Sequence, residues 1–67
     1  MTTSPLLHIV RTGAAPLAVA REDLVVYSDG SRWRLATEAS HARDDASEID
    51  DDRLHQLIFA AGAVVVW

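Results

Sequence analysis

Residues 47–67 read SEIDDDRLHQLIFAAGAVVVW. A short strand signal opens the stretch, and three aspartates, Asp50, Asp51 and Asp52, follow it. Leu54, Leu57, Ile58 and Ala61 then recur at the spacing of one helix face, while Arg53, His55 and Gln56 lie mostly elsewhere around the helix. That face needs an apolar surface to cover. Asp50 or Asp51 is expected to cap the helix, a contribution of about 0.5–2 kcal/mol, with the other aspartates favouring its positive end. Gly62 stands where a left-handed residue would stop the helix. Ala63–Val66 predicts a strand, and Trp67 closes it. An exposed indole there gains nothing, so Trp67 is expected to pack into the core or into a neighbouring subunit, where tryptophan is a favoured anchor.

Working back from this unit, residues 37–46 (TEASHARDDA) are polar and alanine-rich and predict a helical turn or loop, with Thr37 as its cap. His41 lies near Asp44 and Asp45, the natural place to seek a metal or acid–base chemistry. The order matches no calcium loop, which wants alternating acidic positions and a glycine, and a solvated acidic surface is the better reading. Residues 24–27 (LVVY) predict a strand, and Asp29-Gly30 follows at once. Asp-Gly between two strand-like runs signals a hairpin with a type I′ turn. Beyond it, Arg32 and Arg34 alternate with Trp33 and Leu35, the pattern of a half-buried strand near a sheet edge, with a helix as the competing reading. Residues 12–22 are expected to hold at most a short helix, with Pro16 tolerable only in its first turn. Leu6–Val10 (LLHIV), set between Pro5 and Gly13, predicts a buried strand. His8 sits inside it and is expected to be a strand histidine whose ring finds one hydrogen bond, since no second ligand lies at useful spacing.

The whole chain of 67 residues allows one small domain, burying only about 60% of the surface its unfolded form exposes. Such domains usually need a disulfide, a metal or a partner subunit. There is no cysteine, which leaves oligomerisation as the expected support. A hydrophobic fraction of 49% is that of a folded domain. The net charge of −4, with all six basic residues arginine, argues against direct nucleic-acid binding, which calls for a basic stripe. No apolar run nears the roughly 20 residues that span a bilayer, and residues 1–5 lack the features of a secretory signal. A cytoplasmic protein with no membrane contact is the expectation.

Taken in order, these segments resemble the TusB/DsrH family of sulfur-relay subunits. LLHIV at Leu6–Val10 is similar to that family's opening strand, and REDLVVYSDG at 21–30 resembles its second strand, with Ser28 in place of an acidic residue. RLATEASHAR at 34–43 resembles the third strand running into a Glu-x-x-x-Ala-Arg segment, matched by Glu38, Ala42 and Arg43. EIDDDRLHQLIFAAGAVVVW at 48–67 is similar to the family's ending: strand, acidic turn, leucine-rich helix and a last strand closing on tryptophan. The resemblance implies an α/β domain, a reduced DsrE/DsrF/DsrH-like fold. It would have a small sheet of about four to five short strands, one well-defined C-terminal helix and one or two short helices. It also implies partners, DsrE-like and DsrF-like subunits in a heterohexamer that hands persulfide sulfur towards tRNA wobble 2-thiouridine or through sulfur oxidation.

A persulfide carrier needs a thiolate. This chain is shorter than typical members and has none, so the resemblance implies a non-catalytic subunit, without catalytic, metal or cofactor residues. A homo-oligomeric interaction or regulatory domain is the alternative. Trp67, Val66, Trp33 and Leu57 are the residues expected at a partner interface.

Overall fold

The computed structural model describes residues 5–16, 19–36 and 40–67. Among them, five strands form one mixed sheet: β1 (Leu6–Val10), β2 (Leu24–Asp29), β3 (Arg32–Leu35), β4 (Ser47–Ile49) and β5 (Ala63–Val66). Their order across the sheet is β4-β3-β2-β1-β5. β1 runs parallel to both β2 and β5, while β2–β3 and β3–β4 are antiparallel. One helix, α1 (Asp51–Ala60), carries the chain from one edge strand, β4, to the other, β5. A 3₁₀ turn at Arg43–Asp45 precedes β4. The protein is thus an α/β domain with one well-defined C-terminal helix.

Strand alternation sorts the side chains into two layers. Leu7, Ile9, Leu24, Val26, Trp33, Leu35 and Ile49 face α1, whose Leu54, Leu57 and Ile58 cover them together with Ala61 just past its end. These are the four positions that the spacing singles out. On the opposite face, Val10, Val25, Tyr27 and Ala36 are covered by Ala14, Val19, Ala46 and Trp67. β1 lies inside the sheet with both faces covered, so Leu7 and His8 are neighbours in sequence and both buried. β3 buries one face only, leaving Arg32 and Arg34 exposed. Their ion pairs with Glu48 (3.3 Å) and Asp29 (3.5 Å) lie in solvent and contribute little to stability.

Asp50 is the helix cap. Its carboxylate accepts the Arg53 N–H at 2.8 Å, and Asp51 and Asp52 occupy the first turn. Asp50→Ala is expected to lower stability by about 1 kcal/mol, read as a shift in the urea midpoint at unchanged slope.

Two local expectations differ from the fold. Asp29 pairs with Arg32, so the two hairpin residues are Gly30 and Ser31 rather than Asp29 and Gly30. Only Gly30 has positive φ (66°), which is the requirement of a type II′ turn and not of type I′. Gly62 is not left-handed, because positive φ occurs only at Gly13, Gly30 and His41 among the described residues. Ala61 ends the helix in an extended conformation, its N–H bonded to Leu57 C=O, and the Gly62 N–H goes to Pro5 C=O at 3.1 Å. The chain therefore leaves α1 straight into β5. Residues 12–16 and 19–22 form turns and irregular backbone, within the expectation of at most a short helix. They serve to lay Ala14 and Val19 on the sheet. Thr37, the expected cap of 37–46, lies outside the described residues.

Candidate functional site

The buried polar groups gather on the face opposite α1. His8 points from the middle of β1 and is 2% exposed, and Asp23, just before β2, is 3% exposed. The parallel register that sets Leu7 beside Leu24 brings the two side chains together, with His8 Nε2 2.8 Å from Asp23 Oδ2. On the other side of the ring, Trp67 donates its indole N–H to His8 Nδ1 at 2.9 Å, and the two rings lie 5.9 Å apart with planes inclined by 26°. An indole nitrogen can only donate, so Nδ1 carries no proton and the ring hydrogen sits on Nε2, directed at the carboxylate. Nitrogen-15 NMR is expected to show the His8 ring hydrogen on Nε2, with Nδ1 as an acceptor.

Asp23 does more than orient the imidazole. Its Oδ1 accepts the Leu6 N–H (3.0 Å) and its Oδ2 also accepts the Ala20 N–H (3.0 Å). Burial alone pushes this carboxyl up, but the hydrogen bonds from His8, Leu6 and Ala20 together outweigh it and hold Asp23 below the usual carboxylate range. The unfolded chain therefore takes up a proton, near the ordinary aspartate pKa of about 3.9, that folded Asp23 refuses. The stability contributed by this carboxylate is intact above about pH 4 and is lost as pH falls through the lower folded value. Urea midpoints are expected to drop in that acid window, and to drop less steeply in Asp23→Asn.

A second cluster adjoins the first. His41 donates its Nε2–H to Asp23 C=O at 2.9 Å, and Tyr27 donates its hydroxyl hydrogen to His41 C=O at 2.6 Å. These two bonds hold His41 in its left-handed conformation (φ 55°). The Arg43 guanidinium lies 4.7 Å above the Tyr27 ring. Asp45 accepts from the Ser40 hydroxyl at 2.6 Å. His41 thus turns to the Asp23 backbone and Asp45 to Ser40, and no group of three or more acidic or histidine side chains able to hold a metal ion occurs among the described residues.

Both His8 nitrogens and both Asp23 oxygens already have partners within the chain. The network ties the segment before β2, the segment before β4 and the residue after β5 to one histidine–aspartate pair. Sequence reasoning gave His8 one hydrogen bond where there are two, and passed over Asp23. Its only local signal is an acidic residue placed directly against the apolar run LVVY.

Of the expected interface residues, Leu57 lies in the core beneath α1 (6% exposed), Trp33 is half-buried in the same layer, and Trp67 packs against the opposite layer of its own chain. Val66 lies open, at 61% exposure. Val64 (40%) and Phe59 (87%), neither singled out by sequence, are open as well. Val64 and Val66 alternate along β5, which is an edge of the sheet. None of the helices among the described residues is long and apolar enough to cross a membrane. Comparison with protein-family models, curated proteins and solved structures gives no match to this chain.

Proposed function

We propose that this chain is a non-catalytic interaction subunit of a sulfur-relay assembly of the TusB/DsrH type. It would work in the cytoplasm beside DsrE-like and DsrF-like partners that supply the persulfide-carrying thiolate. The observation that carries an interaction role is the β5 edge, a strand without a charged side chain and with Val64 and Val66 exposed. Natural sheets usually blunt such an edge with charges, proline or a covering element. The assignment to sulfur relay rests on the ordered resemblance of residues 6–10, 21–30, 34–43 and 48–67 to that family. Absence of cysteine from these 67 residues fits a supporting role in the complex.

Co-expression with DsrE-like and DsrF-like subunits of the same genome, followed by size-exclusion chromatography, tests the assignment. Co-elution in one complex is expected. Proteins that never co-elute would overturn it, leaving a small self-associating or regulatory domain as the reading that the apolar edge favours.

A further inference from the structure

We infer that β5 pairs antiparallel with β5 of a second copy of this chain, joining two five-stranded sheets into one. This rests on reading the β5 edge as a contact surface, and it names the occupant. Trp67 sends its N–H to Ile9 C=O (2.8 Å) and receives the Arg11 N–H on its own C=O (3.4 Å), so both its backbone groups turn inward to the β1 side. In a parallel ladder alternate residues turn the same way. Val65 therefore also faces β1, and Val64 and Val66 turn their N–H and C=O groups outward, where no strand among the described residues pairs with them.

A two-fold axis beside Val65 sets Val64 opposite Val66 of the second copy, and Val66 opposite its Val64. That register pairs every outward group of both strands. Pairing Val64 with itself would bring Val66 opposite Gly62, whose N–H is already bonded to Pro5 C=O. The favoured register also places the four valine side chains on one face, beside α1 of each copy, since Val64 and Val66 share the face of their β1 partners Leu7 and Ile9. Cross-strand pairs of β-branched residues are favourable in this geometry.

Charge directs the choice of occupant. The chain carries −4 overall, yet Ala63–Val66 is free of charge, so two copies meet here without setting like charges opposite one another. At the other edge, β4, Glu48 stands exposed, and the same symmetric pairing would gather acidic groups. A hexamer built from three subunit types holds two copies of each, so the pair is compatible with the proposed assembly. A stable dimer buries about 800 Å² per partner, more than a four-residue edge supplies by itself. The pair is accordingly expected to dissociate on dilution.

The test is sedimentation velocity of the full chain from micromolar to millimolar concentration, with amide hydrogen exchange across the same series. A reversible monomer–dimer equilibrium is expected, with the Val64 and Val66 amides becoming protected as dimer forms. Val66→Lys, at an exposed position, is expected to weaken dimerisation about tenfold or more, because the change enters the symmetric contact twice. A wild-type chain that stays monomeric throughout would overturn the inference. So would a dimer whose Val64 and Val66 amides exchange as in the monomer, a readout that needs no variant. Failure of co-elution with DsrE-like and DsrF-like subunits, with the dimer intact, would remove the sulfur-relay reading and leave the β5 pair standing.

Discussion

Asp23→Ala is expected to destabilise the fold by about 2–5 kcal/mol, because it leaves buried or half-buried hydrogen-bond donors without an acceptor. The carboxylate serves the Leu6 N–H, the Ala20 N–H and His8 Nε2–H, and the last of these is sealed from water. A chain of 67 residues has roughly 3–10 kcal/mol of stability in total. The loss is therefore comparable with the whole, and the circular dichroism of the variant at 25 °C is expected to show a substantial unfolded fraction.

Asp23→Asn sharpens the argument. If the amide nitrogen faces Leu6, two N–H donors confront each other. If it faces His8 instead, it confronts the Ala20 N–H, and the imidazole must move its proton to Nδ1, which then meets the Trp67 indole N–H. Every orientation leaves at least one clash of donors, so asparagine is expected to lose more than about 1 kcal/mol despite its matching shape. A urea midpoint for Asp23→Asn equal to that of the wild type would refute the network as described.

The contrast between α1 and this network shows what one sequence makes legible. β1 and β5 occupy the ranges their apolar runs mark out, and α1 packs on the sheet through the face its periodicity selects, burying Leu54 and Leu57, because each signal is local and repeated. Asp50 as cap is legible for the same reason, a side chain acting within three residues of itself. His8 and Asp23 are fifteen residues apart and meet only because β1 and β2 pair in parallel at one register. No short-range pattern encodes that pairing. The hairpin fell one residue from its expected place because Asp29 extends β2, pairing with Arg32, and leaves Gly30 as the residue that must take positive φ. Gly62 illustrates the opposite limit: a glycine in the right place for a helix stop is used for a direct entry into β5.

Leu57 and Val66, both expected at an interface from sequence, are separated by their burial, and the difference is measurable. Leu57 is 6% exposed and packs with Leu7, Val26 and Leu54 beneath α1. Leu57→Ala removes buried methyl groups from a layer whose strands cannot all close in, so it is expected to cost about 2–5 kcal/mol, lowering the urea midpoint at any protein concentration. Val66, 61% exposed, has no such layer around it, and for Val66→Lys a change in monomer stability within about 0.5 kcal/mol is expected. The two variants thus exchange effects: one loses the fold at a fixed association constant, the other loses association at a fixed fold. A Leu57→Ala chain as stable as the wild type would mean that α1 does not cover the sheet through this residue. The layer that places β5 at an open edge would then need a different account.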